Sequence, residues 1–255
     1  MKKFFYLIET EFLGYRYHGW QKQNQVLTVQ QALERVLKYL LPANDFKTIP
    51  ASRTDKLVSA KQHFFQLFCS SPVEIDLLQL LNQYLPLDIK IISVKEIDKN
   101  FQIISSPREK EYHYYFYSHP DRYPMAAPFL HQEQQELNIP LMQEGAKVFE
   151  GEHDFFLYHY RPKENSKTIR HISVSEIKKN DIISANFFPP TSYYLKVISD
   201  GFGRHQIRLM MGVLLSLGKM EIELEQIKES LDGKGQQLAP IAPAAGLTLY
   251  RTIFL

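Results

Sequence analysis

A chain of 255 residues, 44% hydrophobic and 23% charged, has the composition of a globular fold and excludes a disordered, collagenous or coiled-coil protein. Its 30 Lys and Arg against 28 Asp and Glu leave a formal net charge of +2, so any nucleic-acid surface must be built locally rather than by overall charge. The single cysteine, Cys69, excludes an intramolecular disulfide and makes a reducing, cytoplasmic setting the expectation.

The opening MKKFFYLIETEF has a lysine pair and an apolar run. Glu9 and Glu11 interrupt that run and no small-residue cleavage site follows, so residues 4–12 read as a first strand, not a secretory signal. No apolar stretch approaches the length of a membrane span. Thr28 opens a helix. Gln31 completes a capping-box pattern, Val29, Leu33, Val36, Leu37 and Leu40 recur at helical spacing, and Pro42 ends the run. A polar stretch leads to the loop ASRTDKLVSA (51–60), from which a strand over 61–69 departs. A short helix near 74–84 and a strand over 89–97 follow. A boundary near residue 105, at SSP, divides the chain into halves 1–105 and 106–255.

In the second half an aromatic strand is expected over 111–118 and loop over 119–135. A helix over 139–150 is expected, with Gly151 as its cap. Strands are expected over 171–178, 181–187 and 192–200, and a helix runs from Arg204 to Leu217 with Gly218 as its stop. A short helix near 224–231 and the strand TLYRTIFL close the chain. Strand–helix–strand units in both halves, with hairpin-like strand pairs and no exact repeat, predict an α+β fold with helices packed on a largely antiparallel sheet.

Five segments carry candidate chemistry. In ASRTDKLVSA, Arg53 and Asp55 flank Thr54; a surface ion pair is the plain expectation, and an ionised carboxylate serving as nucleophile or base is the functional one. GYRYHGWQKQ (14–23) interleaves Arg16, His18 and Lys22 with Tyr15, Tyr17 and Trp20, which suits phosphate contact plus stacking, although Trp20 itself is expected in the core. In EKEYHYYFYS, Tyr112, Tyr114 and Phe116 share one face of a strand and His113, Tyr115 and Tyr117 the other; most belong to the core. In DGFGRHQIRLMMGVLL, Gly212 allows another backbone to approach beside Arg208, and an arginine in such apolar company pairs with a carboxylate more often than it faces water. YHYRPKENSKTIRH carries Arg161, Lys163, Lys167 and Arg170 against Glu164 alone. No second cysteine and no metal-ligand histidine spacing accompany the nine histidines, and Walker, G-x-S-x-G and Cys/His nucleophile signatures are absent.

Taken in order, these blocks resemble the tRNA pseudouridine synthase A family. GYRYHGWQKQ with TVQQALERVL resembles its opening block, RTDKLVSA (53–60) its catalytic R-T-D block, and EKEYHYYF its tyrosine block. GEHDFFLYHYR (151–161), FGRHQIRLMMG (202–212) and PAAGLTLYRTIF (243–254) resemble the remaining three, so the likeness spans nearly the whole chain. The resemblance implies two pseudo-symmetric α/β halves sharing one largely antiparallel sheet, helices on one face, and isomerisation of uridine to pseudouridine in the anticodon stem-loop of tRNA. It implies no metal, redox group or other cofactor, and a homodimer on which one tRNA touches both subunits. It makes Asp55 the essential nucleophile or base, Arg208 its partner, Tyr112 a contact of the target uracil and Leu249 an apolar wall. Arg53, Arg16, His18, Lys163 and Lys167 become substrate contacts. Three departures stand out. Leu57 occupies the usual glycine after R-T-D-x, Leu13 the aspartate of the opening block, and Phe101–Ile104 the site of an F-H-A-R sequence. Two other expectations remain open: a non-catalytic RNA-binding paralogue on the same fold, and a glycoside hydrolase using Asp55 and Asp154.

Overall fold

The computed structural model describes residues 3–163 and 165–254, so Glu164, the one acid set against the basic 158–171 stretch, lies outside the described residues. In chain order the strands are β1 (Phe4–Phe12), β2 (Phe46–Pro50), β3 (Ser59–Cys69), β4 (Ile89–Glu96), β5 (Pro107–Ser118), β6 (His131–Glu133), β7 (Gly151–Asp154), β8 (Ile169–Lys179), β9 (Tyr193–Ser199) and β10 (Leu247–Phe254). The α-helices are α1 (Val29–Leu40), α2 (Leu77–Tyr84), α3 (Ile139–Val148), α4 (Gln206–Gly218) and α5 (Leu224–Ser230). Mostly antiparallel strands with helices give the mixed α/β class that the sequence predicts. Among the described residues no helix is long and apolar enough to cross a membrane.

The chain divides into two compact units, residues 1–108 with 249–255, and residues 109–248. In the first, β1 pairs antiparallel with β3 on one side and β4 on the other. Tyr6, Ile8, Thr10 and Phe12 alternate into the core, as a half-buried strand requires. The α1 capping box forms as predicted: the Gln31 N–H donates to Thr28 Oγ1 at 3.3 Å and the Thr28 N–H donates to Gln31 Oε1 at 3.0 Å. Val29, Ala32, Leu33, Val36 and Leu37 make its buried stripe. Asp76 caps α2 through the Gln79 N–H at 3.0 Å. The short edge strand β2, which the sequence reading passes over as a polar stretch, pairs with β3 in the register Phe46↔Cys69.

In the second unit β5 pairs with β9, β9 with β8 and β8 with β7, all antiparallel. Both faces of β5 are covered: Tyr112 to Tyr117 are all buried. Helix α4 is buried from Gln206 to Gly218 at every residue except the half-buried Arg208, and Gly145 of α3 has no room for a Cβ against Leu217.

Three expectations are corrected here. No strand forms over 181–187. Asn180 Oδ1 accepts the N–H groups of Ile182 and Ile183, both at 3.2 Å, and its Nδ2 donates to the Ile183 carbonyl at 2.9 Å. The side chain thus closes a turn that competes with the ladder, and Pro189 and Pro190 offer no donors to extend one. The predicted 119–135 loop contains β6, which runs parallel to the end of β5. Gly151 does not cap α3: Phe149 does, and Gly151, at φ +101°, opens β7.

Candidate active site

In the first unit the loop between β2 and β3 carries Asp55. The opening block lies directly on this loop. The Leu57 N–H donates to the Tyr17 carbonyl at 3.0 Å, the Trp20 N–H to the Thr54 carbonyl at 3.2 Å, and the Gly14 N–H to Ser59 Oγ at 2.9 Å. Both glycines of the block are required by this approach. A Cβ on Gly14 would collide with the Val58 carbonyl oxygen, and one on Gly19, itself at φ +82°, would collide with that of Thr54. Inside the loop the Val58 N–H returns to the Asp55 carbonyl at 3.2 Å, closing a turn that places Leu57 at φ +69°. Asp55 is half-buried and Arg53 exposed.

Trp20 is fully buried and stacks on His63 at 4.0 Å between ring centroids, so it is core, as expected. His63 donates from Nε2 to the Ser52 carbonyl at 2.8 Å, which ties β3 back to the loop's first residues. His18 is half-buried, with its N–H on the Leu27 carbonyl at 2.8 Å. Arg16 meets Asp88, which accepts from both guanidinium Nε and Nη2, the latter at 2.9 Å. The buried Tyr17 hydroxyl donates to the same carboxylate at 2.7 Å. Burial opposes ionisation of Asp88, but the Arg16 and Tyr17 hydrogen bonds outweigh it and hold the carboxyl below its ordinary value. Burial, with the hydrogen bond to Asp88, pushes Tyr17 up to about 12. Much of the charge that the sequence assigns to RNA contact at Arg16 is therefore matched by an acid 72 residues away.

In the second unit Tyr112 lies on β5 opposite Val197, largely buried, its ring edge-on to Phe202 at 5.3 Å. Its neighbour Tyr114 is fixed in the core by a 2.8 Å hydrogen bond to the Pro243 carbonyl. Arg208 on α4 is half-buried and held from two directions: Nε donates to the Ala242 carbonyl at 2.8 Å, and Nη1 lies 2.9 Å from His205 Nδ1. The close backbone anticipated at Gly212 is the 240–242 segment. A Cβ there would strike the Pro240 carbonyl, and the Ala242 N–H bonds the Arg208 carbonyl at 3.0 Å. Lys163 and Lys167 are exposed. Just before Lys163 in sequence, the Tyr160 ring carries the guanidinium groups of its neighbour Arg161 and of the sequence-distant Arg204 at 5.2 and 5.0 Å. In the sequence Arg204 reads as a helix start and not as part of this cluster, because no spacing in the sequence brings residue 204 to residue 160. Asp154 has local work, accepting the Phe156 N–H at 3.0 Å beside Gly233, and no feature favours it as a second catalytic carboxylate. Leu249 on β10, which belongs to the first unit, is fully buried.

Comparison with known proteins points one way. A family model described as tRNA pseudouridine synthase matches residues 146–254. The chain is 32% identical to the tRNA pseudouridine synthase A of Onion yellows phytoplasma over 100% of both chains. It is 31% identical to the tRNA pseudouridine synthase A 2 of Desulfotalea psychrophila over 97% of each. It is 30% identical to that of Francisella tularensis subsp. holarctica over 95% of this chain and 91% of the relative.

Proposed function

Because this chain belongs to the tRNA pseudouridine synthase A family, which isomerises uridine in tRNA to pseudouridine, we propose that Asp55 is its catalytic carboxylate, paired with Arg208, and that Tyr112 and Leu249 hold the target uracil. The observation that carries the reading is the way the Asp55 loop is held. Two backbone hydrogen bonds, a third from the Gly14 N–H to the Ser59 hydroxyl, and two glycine contacts join the opening block to the tight turn that carries the half-buried carboxylate, the preorganisation that a reacting group needs.

The reaction is an isomerisation, so atoms and electrons balance without an external reagent. The N1 glycosidic bond breaks with its electron pair on uracil, and Asp55 either bonds C1′ or takes a proton from the sugar. The base turns and C5 bonds C1′, either as the Asp55–C1′ bond breaks and returns its electron pair to the carboxylate, or as Asp55 gives back the proton it took from the sugar. C5 then loses its proton and N1 gains one. A stacked nucleotide cannot present its sugar to a carboxylate, so the target uridine leaves the helical stack. Arg208 is itself fixed by Ala242 and His205, which limits the positions its guanidinium can take. Arg53, Arg16, His18, Lys163 and Lys167 contact the RNA, with Arg16 the weakest contributor because Asp88 already engages it. The substrate region is the anticodon stem-loop, the working form a homodimer without cofactor, and the compartment the cytoplasm.

The test is tritium release from C5-labelled uridine in tRNA under single-turnover conditions, wild type against Asp55→Asn, with tRNA binding measured alongside. Asparagine keeps the size but cannot serve as nucleophile or effective base. Release is expected to fall more than about 10³-fold with affinity retained. Undiminished release by the variant would show the carboxylate to be misassigned. No release by wild type on any cellular tRNA, with binding intact, would favour the RNA-binding paralogue.

A further inference from the structure

The first unit carries a groove whose lining includes no residue of the Asp55 loop. It has a volume of about 720 Å³ and lies between the 22–27 segment, α1 and the start of β2. Its walls hold four cations, Lys22, Arg35, Lys38 and Lys47, and one acid, Glu34. The spacing makes this possible: Glu34, Arg35 and Lys38 fall on one side of α1, opposite the stripe that Leu33, Val36 and Leu37 bury. Glu34 is fully engaged, accepting from Lys22 Nζ at 3.1 Å, Gln30 Nε2 at 3.0 Å and Thr48 Oγ1 at 2.7 Å. It neutralises Lys22 and pins α1 to β2. Arg35, Lys38 and Lys47 are exposed, and their like charges share one concavity. Like charges gathered without a counter-charge repel one another, and a polyanion relieves that repulsion. Phe46 and Leu27 give the groove an apolar part on which a sugar or base can rest.

We propose that this groove is a second RNA-backbone track, in which Arg35, Lys38 and Lys47 contact phosphates of the tRNA substrate beyond the target uridine. The proposal rests on the tRNA reading above and extends its footprint to three cations to which the family resemblance gives no role. The groove also redistributes the cationic surface: Arg16 is matched by Asp88 and Lys22 by Glu34, so α1 and β2 add to Arg53 of the Asp55 loop as positive charge of the first unit toward RNA.

The experiment compares the tRNA affinity of Arg35→Gln/Lys38→Gln/Lys47→Gln with that of Lys90→Gln/Lys95→Gln/Lys99→Gln across a salt titration. The second triple removes the same charge from exposed lysines outside the groove. Removing one phosphate-binding cation flattens the plot of log affinity against log salt by roughly 0.7–0.9. The groove triple is therefore expected to flatten it by about 2–3 and to weaken binding at least ~10-fold near 0.1 M salt, while the control triple stays close to wild type. Equal losses in both triples, or none in the groove triple, would overturn the proposal. Thermal unfolding of each triple guards against a folding defect, and a groove triple that unfolds is replaced by Lys38→Gln/Lys47→Gln. Failure here is separable from failure of the catalytic reading, because wild-type tritium release is unaffected by where distant phosphates bind.

Discussion

At the residue scale, Leu57 is the point where sequence and geometry meet most directly. The family-like pattern has glycine there, and glycine implies either close backbone approach or positive φ; the structure shows φ +69° at a leucine. A left-handed conformation costs a residue with a Cβ roughly 1–2 kcal/mol. Glycine would remove that strain while losing about 0.5–1 kcal/mol of backbone entropy. Leu57→Gly is therefore expected to be neutral to mildly stabilising, by up to about 1 kcal/mol, and Leu57→Val, with a β-branched side chain, to be destabilised by at least that much. Urea denaturation midpoints check both; a Gly variant clearly less stable than wild type would mean that leucine packing outweighs the backbone strain. The conformation was legible in the pattern. Its support was not, since the Tyr17 carbonyl that receives the Leu57 N–H belongs to a distant segment. Arg16 teaches the same lesson in reverse: a basic residue among aromatics reads as an RNA contact until Asp88 is seen beside it.

At the element scale, the Asp88 carboxylate links the α2–β4 connection to the short turn Gly14–Arg16 that rests on the catalytic loop. Its folded value lies below the ordinary one because Arg16 and Tyr17 bond the ionised form more than burial disfavours it. A lowered carboxyl value contributes stability above the unfolded value, near about 3.9, and loses it as pH falls through the folded value. Asp88→Asn should thus lower stability by about 1–3 kcal/mol at neutral pH, because the buried Tyr17 hydroxyl loses its charged acceptor. The gap to wild type should close below about pH 4. Unfolding free energies from pH 7 to pH 3 measure it, and a gap that is independent of pH would refute the ion-pair account. Elements with their own signals were legible: the Thr28–Gln31 box starts α1 where the spacing predicts. Elements whose formation depends on a partner were not. β2, β6 and β7 are three to five residues long and exist through pairing with β3, β5 and β8, and 181–187 has strand-like residues but an asparagine that closes a turn.

At the scale of the whole molecule, net charge and local charge make opposite predictions. With a formal charge of only +2, a chain that bound RNA through its overall field would show shallow salt dependence. Contacts gathered in patches instead release counterions phosphate by phosphate, whatever acids lie elsewhere. The exposed pair Lys163 and Lys167, near Arg161 and Arg204 on Tyr160, is the second unit's candidate patch. Lys163→Gln/Lys167→Gln takes the formal charge from +2 to 0, and adding Glu74→Gln/Glu96→Gln, at exposed positions in the first unit, returns it to +2. If the patch binds phosphates, the double variant should flatten the salt dependence of tRNA affinity by roughly 1.4–1.8, and the quadruple variant should stay as flat despite its restored charge. Fluorescence anisotropy of labelled tRNA across a salt series measures both. Recovery of wild-type affinity in the quadruple variant would show that the field of the whole chain, and not the 158–171 stretch, holds the RNA.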